Sequence, residues 1–272
     1  MKNPLSSFPS LSAGSYLIDT HCHLDMEAYA DDLNEVIFRA QKYGVKTIIT
    51  IGIDLPSSKA AVKLAQKHKG VYATIGVHPH DVDHLDEHTY EALRLLYRNH
   101  KQQIVGYGEI GLDYVKMYSE PANQRKHFTR QLELAQNLGL PVVIHNREAD
   151  TDTLFTLQAQ KNFPNGGIMH CFSGDYDFAV KIIDMGLKIS IPGVVTFKNA
   201  TKLQEVVTKI PIEHMIVETD GPFLSPHPFR GKRNEPAHVL FTAMKIAELK
   251  NISIDEVAHH TSVNATTLFN LN

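Results

Sequence analysis

The stretch that decides the fold runs from residue 16 to residue 51 and reads YLIDTHCHLDMEAYADDLNEVIFRAQKYGVKTIITI. It begins and ends with short apolar runs, YLID (16–19) and KTIITI (46–51), which are typical of buried strands. Between them, apolar residues recur at the spacing of one helical face, at Leu33, Val36, Ile37 and Ala40. Gly44 marks the end of this predicted helix. A strand, a helix and a second strand in this order predict one parallel β–α–β unit.

The same alternation continues along the chain. Short apolar runs are separated by stretches that are long enough for a helical crossover. The eight runs are YLID (16–19), KTIITI (46–51), VYATI (71–75), QIVGYG (103–108), PVVIH (141–145), GGIMH (166–170), LKISI (187–191) and HMIVET (214–219). Eight alternating units predict an α/β fold of the (β/α)8 TIM-barrel type. The alternative is an open doubly wound sheet, but that fold usually has fewer strands, and no glycine-rich dinucleotide turn follows the first run.

The domain organisation is simple, because no repeat, low-complexity tract or linker divides the chain. We expect an N-terminal extension at residues 1–15, which is rich in Ser and Pro, and one barrel domain at residues 16–272. Two helices besides the first are marked by their ends: one stops at Gly139, and the last starts with a capping box, Ser253 with Glu256.

The composition and charge of the chain exclude some classes of function. The chain has 272 residues, with 27 Lys and Arg against 30 Asp and Glu, so its formal charge is −3. A broadly basic nucleic-acid-binding surface is excluded, and any polyanion must meet locally placed cations or metals. No segment approaches the roughly 18 apolar residues of a membrane span, and the first residues do not resemble a signal peptide. We therefore expect a cytoplasmic protein without membrane contact. Cys22 and Cys171 are predicted to be buried free thiols.

Imidazoles and carboxylates recur at the ends of the predicted strands, where a barrel places its active site. Buried charge needs compensation, and two divalent metal ions provide it. We expect His21, His23 and Asp220 to hold one ion, His145 and His170 to hold a second, and Glu109 to bridge both. Zn²⁺, Mn²⁺, Co²⁺ and Fe²⁺ suit these ligands, as does Mg²⁺ where carboxylates and water dominate. Each residue alone has a structural explanation, such as a core histidine or a turn aspartate.

Further residues are candidates for the environment of the ions and for substrate contact. Glu218 lies on the same face as Asp220 and is expected to support the ligands, whereas Thr219 is expected to face the helices. Predicted contacts to substrate come from one histidine, four cations and three aromatic rings, namely His78, Arg147, Arg230, Lys232, Arg233, Tyr114, Phe172 and Phe229. For each ring the alternative is ordinary loop packing. The least regular connections, residues 111–124 and 221–236, both follow strands and are expected above the barrel mouth.

Seven motifs resemble the TatD family of metal-dependent deoxyribonucleases, which belongs to the amidohydrolase-like barrels. They occur in order over residues 16–271: DTHCHLD, IGVHPH, GEIGLDY, PVVIHNREA, HCFSG, ETDGPFLSP and RGKRNEP. The resemblance places the family's metal positions on the six ligands deduced above. It implies 3′→5′ exonuclease activity on single-stranded DNA, and in some members on RNA. Gly221 and the loop that begins GLDYVKMYSEP (111–121) depart from the usual pattern. Neither change touches a ligand, and the second concerns substrate contacts of the loop after strand four.

These observations predict a two-metal phosphodiesterase in which a hydroxide attacks phosphorus and Asp220 accepts a proton. Nucleic acid is the expected partner, and no obligate protein partner is indicated. A metal-dependent deacylase or amidohydrolase, for example one acting on D-aminoacyl-tRNA, is the alternative. Related barrels often bridge their metals with a carboxylated lysine on strand four, whereas this chain has Glu109 there, which favours the nuclease. A non-catalytic metal- or phosphate-binding barrel is a third possibility, which the complete ligand set argues against.

Overall fold

The predicted strands are all present in the computed structural model, which describes residues 8–160 and 162–271. Each strand pairs in parallel with the next one along the chain. The strands are β1 (Leu17–Cys22), β2 (Val45–Thr50), β3 (Val71–Ile75), β4 (Ile104–Asp113), β5 (Val142–Arg147), β6 (Gly167–Met169), β7 (Lys188–Ile191) and β8 (Met215–Val217). This order is the one expected for a (β/α)8 barrel, and the predicted fold class is confirmed.

Helices follow every strand, so each connection between strands crosses over on the outside of the barrel. Within the described residues the α-helices are α1 (Leu33–Lys42), α2 (Leu55–Lys67), α3 (Glu87–Asn99), α4 (Pro121–Leu138), α5 (Asp150–Ala159), α6 (Tyr176–Asp184), α7 (Thr201–Lys209), α8 (Val239–Lys250) and α9 (Ile254–Phe269). The predicted helix ends are confirmed. Gly139 has a φ of 71° after α4, and Ser253 forms the reciprocal capping box with Glu256 at the start of α9.

The first and last strands meet to close the barrel. A parallel bridge joins Cys22 to Gly221, which lies just beyond β8. Beneath it, the buried carboxylate of Asp19 accepts hydrogen bonds from the backbone N–H of Thr219 (2.9 Å) and from its hydroxyl (2.6 Å). Thr219 is therefore turned towards Asp19 of the neighbouring strand, and the two ends of the sheet are joined by side chains as well as by backbone.

The inside of the barrel is apolar at its base. One cluster of buried side chains joins strands from all around the sheet to the end of α9: Ile18, Ile49, Ile51, Val105, Val143, Ile168, Ile216, Ala265, Phe269 and Leu271. Side chains two residues apart share a face of a strand. Since Val143 and Ile168 point inwards, His145 and His170 point inwards as well, one layer higher. The base of the barrel thus supports the side chains at its mouth.

Strand β4 is longer than its apolar run predicts. It continues to Asp113 and is buried throughout, so Glu109 lies within the strand and not after it. The reason is the close approach of β4 to β5. A Cβ atom at Gly111, whose φ is +147°, would lie 1.9 Å from the carbonyl oxygen of His145. Only glycine fits there, and the glycine-rich stretch that suggested a loop continues the strand instead. The irregular connection begins after Asp113 and ends where α4 starts at Pro121.

The predicted extension falls partly outside the described residues, at 1–7. Its remaining part, 8–15, packs against the barrel. The ring of Phe8 stacks on Tyr43 with a centroid distance of 4.1 Å and contacts Phe229 at 5.7 Å. Ser12 donates from its backbone and its hydroxyl to Asp255 at the start of α9.

Two smaller expectations concern the membrane and the thiols. Across residues 8–160 and 162–271, none of the helices has the length and apolarity that crossing a bilayer requires. Cys22 and Cys171 are both free, as expected. Cys22 is buried, but Cys171 is partly exposed, because the chain leaves β6 in a left-handed conformation at this residue, with a φ of 45°.

Candidate metal centre at the mouth of the barrel

The first group of predicted ligands comes together where β1 meets the end of β8. Nε2 of His23 lies 3.5 Å from Oδ1 of Asp220, and Nε2 of His21 lies 3.8 Å from the same oxygen. Backbone hydrogen bonds fix these positions, since Asp220 N–H donates to the His21 carbonyl (2.9 Å) and His23 N–H donates to Gly221 (2.7 Å). Ligands that are 200 residues apart in sequence are thus held in one group.

Glu109 lies between this group and a second one. Its Oε1 is 2.7 Å from Nδ1 of His145, 3.2 Å from Nε2 of His170 and 3.5 Å from Nε2 of His78. Its other oxygen, Oε2, is 3.4 Å from Nε2 of His21 and 3.9 Å from Nε2 of His23. Each carboxylate oxygen therefore faces a different set of imidazoles. This is the arrangement that a bridging ligand requires.

Two further carboxylates orient the histidines of the second group. Oε1 of Glu218 lies 3.1 Å from Nδ1 of His170 and accepts a hydrogen bond from the Cys171 N–H (2.8 Å). Oδ2 of Asp113 lies 3.3 Å from Nε2 of His145 and 2.9 Å from Nε2 of His80. A carboxylate on the outer nitrogen of a histidine fixes its tautomer and ring orientation, which is common around metal ligands. The supporting role expected for Glu218 agrees with these contacts.

Asp113 is absent from the predicted site, although a signal was present. In a strand that continues through GEIGLD, Asp113 shares a face with Glu109 because the two are four residues apart. Its other oxygen, Oδ1, accepts from the N–H groups of Val115 and Lys116 at 2.9 Å each. One carboxylate thus joins His145 to the loop that follows β4.

Electrostatics in this cluster keep Glu109 ionised and His21 neutral, whereas the carboxylates that face His145 and His170 raise the pKa values of those two imidazoles. Burial, reinforced by the neighbouring His170, lowers the pKa of His21 to about 3. Burial alone would raise the pKa of Glu109, but the imidazoles of His170 and His78 outweigh it and hold that pKa well below its ordinary value. Burial likewise opposes protonation of His145, yet Asp113 and Glu109 raise its pKa. Neutral histidine and ionised carboxylate are the forms that bind metal.

The residues fit divalent metal ions. Both ring nitrogens of His21 are buried, and among the described residues neither makes a hydrogen bond of ordinary geometry. An unpartnered buried imidazole is costly unless a ligand satisfies it. Potential ligand atoms lie within 4.8 Å of one another in three groups: His21, His23 and Asp220; His78, Glu109 and His145; and His21, His170 and Glu218. The first group is the predicted one. The other two groups separate His145 from His170, which were predicted to hold one ion together, and they place His145 with His78, which was predicted to contact substrate.

A cavity of about 590 Å³ opens above the cluster. Two of its walls carry cations, Arg147 at the end of β5 and Lys116 in the loop after β4. Apolar side chains form much of the rest: Met26, Ile53, Tyr118, Phe223 and Leu224. His78 and Arg147 are thus placed beside the ligands, where their predicted contact with substrate is possible.

The other predicted substrate contacts lie elsewhere. Arg233 forms an ion pair with Asp32 at 2.7 Å and donates to the Ala28 carbonyl, so its guanidinium is used within the chain. Arg230 lies over the ring of Phe197, at 4.5 Å from its centroid. Lys232 is exposed, but neither it nor Arg230 lines the cavity. The RGKR loop therefore lies beside the site and not over it.

The three predicted stacking rings need correction. Phe172 is only 2% exposed and packs on Phe178, at a centroid distance of 5.8 Å. Phe229 is buried and stacked on His238 at 4.3 Å. The hydroxyl of Tyr114 donates to Asp152 (2.6 Å), and this ring lines a neighbouring cleft. None of the three presents a ring face to the cavity above Glu109.

An eight-stranded barrel with imidazoles and carboxylates converging at the carboxyl ends of its strands is typical of the class of metal-dependent barrel hydrolases. The family model described as TatD related DNase matches residues 18–270. The chain belongs to the TatD family of metal-dependent hydrolases.

Similar proteins support this assignment. An uncharacterized metal-dependent hydrolase of Bacillus subtilis, YabD, is 43% identical over 256 residues, which covers 94% of this chain and all of that protein. YcfH of Escherichia coli, also an uncharacterized metal-dependent hydrolase, is 35% identical over 259 residues, with coverage of 94% and 96%. The crystal structure of the E. coli TatD homologue YjjV superposes with a TM-score of 0.89 at 30% identity and covers 94% of this chain and 98% of that one.

Proposed function

We propose that this hydrolase is a 3′→5′ exonuclease that acts on single-stranded DNA, and on RNA as a second substrate, with two divalent ions. The observation that carries the proposal is the position of Glu109, whose two oxygens face two separate sets of imidazoles. Glu109, with the imidazoles on either side of it, would hold two ions, and these would supply positive charge for both the attacking and the leaving oxygen of an in-line displacement at phosphorus.

The ions, when bound, would supply a water of lowered pKa and positive charge for the phosphate oxygens. The chain supplies the remaining functions. Arg147 and Lys116 line the cavity and can neutralise phosphates, which a chain of net charge −3 cannot do through its overall field. Asp220, beside His21 and His23, accepts the proton of the attacking water. Glu218 and Asp113 keep His170 and His145 in position during the reaction.

The size of the cavity favours a single strand. A volume of about 590 Å³ is that of a small-molecule site and does not admit a duplex. The reacting phosphate must also reach Glu109 at the bottom of this cavity, between His145 and His21. The unpaired end of a nucleic-acid strand can reach Glu109, and such an end is where an exonuclease cleaves.

The test uses the purified protein with Mg²⁺ or Mn²⁺ and single strands that carry a label at the 5′ end. Stepwise shortening from the 3′ end is expected, and it must stop when the ions are chelated. A ribonucleotide strand of the same sequence tests the second substrate. Release of a D-amino acid from charged tRNA, with the labelled strands left intact, would instead establish a deacylase, and metal binding without hydrolysis of either substrate would establish a binding protein.

A further inference from the structure

Exposed apolar side chains concentrate at the rim of the metal centre. Among the described residues, ten large apolar side chains are well exposed. Half of them lie on the two loops that flank the cavity, namely Val115, Met117 and Tyr118 after β4, and Phe223 and Leu224 after β8. The other five are scattered over helices. Contiguous apolar exposure of this kind marks a place where a ligand or partner binds.

Tyr118 stands on one side of the cavity. It is 67% exposed, and its ring contacts His80 edge-on, with a centroid distance of 4.8 Å. The loop that carries it is fixed at both ends. Asp113 accepts from the N–H groups of Val115 and Lys116, and the hydroxyl of Ser119 donates to the His80 carbonyl at 2.8 Å. An exposed ring is thus held in a defined place beside the second group of ligands.

Phe223 stands near the first group of ligands. It is 48% exposed and contacts His23 edge-on, at a centroid distance of 6.1 Å. Its N–H donates to the Asp220 carbonyl (2.9 Å), and its own carbonyl accepts from the side-chain amide of Asn234 (2.6 Å). These bonds hold the Phe223 ring close to Asp220, just as the Tyr118 ring is held beside His80.

We propose that Tyr118 and Phe223 are stacking platforms for the bases on either side of the phosphodiester that is bound at Glu109. This inference rests on the proposed nuclease function and adds the subsite that it lacks. A single strand alternates anionic phosphates with flat apolar bases, and this rim offers the matching groups, cations at Lys116 and Arg147 and rings at Tyr118 and Phe223. Stacking on aromatic side chains tolerates any base, because every base has a π face.

The first experiment removes the bases and keeps the phosphates. A strand whose last three 3′ nucleotides are abasic is compared with an intact strand, both in Mn²⁺. The native protein is expected to cleave the intact strand with a KM roughly tenfold lower, because stacking is available only to it. Tyr118→Ala and Phe223→Ala are each expected to raise KM for the intact strand, and the double variant is expected to abolish the preference.

Matched controls separate stacking from other effects. Tyr118→Phe keeps the ring and is expected to behave as the native protein. Phe155→Ala removes an aromatic side chain that is 74% exposed on α5, outside the cavity lining, and is expected to change neither KM. Equal KM values for both strands in the native protein would overturn the inference while leaving the nuclease proposal intact. Failure to cleave either strand would overturn the nuclease proposal itself.

A binding measurement gives an independent readout. The chain contains no tryptophan, so Phe223→Trp introduces a single indole at the rim, which can be excited selectively over the ten tyrosines. Oligothymidylate is expected to quench its emission, and the fully abasic strand of equal length is not. Phe155→Trp serves as the control and is expected to remain unquenched. Equal quenching by both strands at position 223, or quenching by neither, would show that no base stacks there.

Discussion

Asp113 and Glu109 hold opposite sides of one imidazole ring. Oδ2 of Asp113 lies 3.3 Å from Nε2 of His145, and Oε1 of Glu109 lies 2.7 Å from Nδ1. When Nδ1 binds a metal ion, Nε2 would carry the proton and donate a hydrogen bond to Asp113. The ligand is therefore oriented from behind by a carboxylate that also fixes the loop after β4.

Asp113→Asn is expected to lower metal affinity or activity by roughly 10- to 100-fold. The amide oxygen is expected to stay with the N–H groups of Val115 and Lys116, which turns the NH₂ towards Nε2 of His145, and an NH₂ cannot accept a hydrogen bond. Titration calorimetry with Mn²⁺ measures the affinity directly. Asp152→Asn, which removes a carboxylate that pairs with Arg125 at the surface, is the matched control and is expected to bind metal normally. Unchanged Mn²⁺ affinity in Asp113→Asn would show that His145 needs no such support.

Asp220→Asn is expected to reduce kcat/KM by at least about 10²-fold, since proton transfer typically contributes about 10²–10⁴. The side chain keeps its shape, so circular dichroism and thermal unfolding are expected to stay close to those of the native protein. Asp184→Asn, at the exposed end of α6, is the control. Substantial turnover in Asp220→Asn with metal bound would exclude Asp220 as the proton acceptor.

Metal is expected to stabilise the fold. A ligand at about 100 times its Kd that binds only the folded state adds about 2.7 kcal/mol to the free energy of unfolding, which corresponds to a rise in Tm of roughly 5 °C or more. Differential scanning calorimetry of the chelator-treated protein, before and after addition of Mn²⁺, measures this rise. Glu109→Gln weakens both groups of ligands and is expected to lose most of it. An equal rise in Glu109→Gln would contradict the bridging position.

His238 predicts a pH dependence away from the metal centre. Burial, with the nearby guanidinium groups of Arg39 and Arg233, lowers the pKa of His238 to about 4, against an ordinary value near 6.5. The unfolded chain therefore binds a proton between these values that the folded chain does not. The contribution of this residue is present above pH 6.5 and is lost as the pH falls towards 4, by roughly 1–2 kcal/mol at pH 5.

Urea unfolding of the native protein and of His238→Gln at pH 7 and pH 5 measures this effect. The native protein is expected to lose more stability than the variant over this interval. Groups that titrate in both proteins, such as the histidines of the metal centre, cancel in the comparison. Parallel losses in the two proteins would mean that His238 is not kept neutral by its surroundings.

The architecture and the convergence of the six candidate ligands could be predicted because both follow from local patterns. Apolar runs predict strands, and parallel strands in a barrel present their carboxyl ends to one mouth, so His21, His145, His170 and Asp220 had to converge there. Asp113 was within reach of the same reasoning. Asp113 was not predicted, because in the sequence alone the glycines at 108 and 111 indicate a loop. In the barrel these glycines instead allow β4 to approach β5 closely.

The substrate side could not be predicted, because it depends on loop conformation and on long-range pairs. Phe172 follows His170 by two residues, which suggests an inward ring at the mouth. The left-handed turn at Cys171 instead directs the chain so that Phe172 packs in the core. In the sequence Arg233 looks available for a phosphate, but in the fold it pairs with Asp32, which is 201 residues away along the chain. Tyr118 and Phe223 lie in irregular segments, where no periodicity indicates exposure.

The pairing of β1 with the segment after β8 determines when, during translation, the metal centre can assemble. His21 and His23 leave the ribosome early, but Asp220 and Thr219, whose contact with Asp19 holds this segment against β1, are translated about 200 residues later. A nascent or prematurely terminated product therefore has the first two imidazoles without their carboxylate partner. The full set of candidate ligands therefore exists only after β8 has been translated, and a product that ends before β8 lacks a complete metal centre.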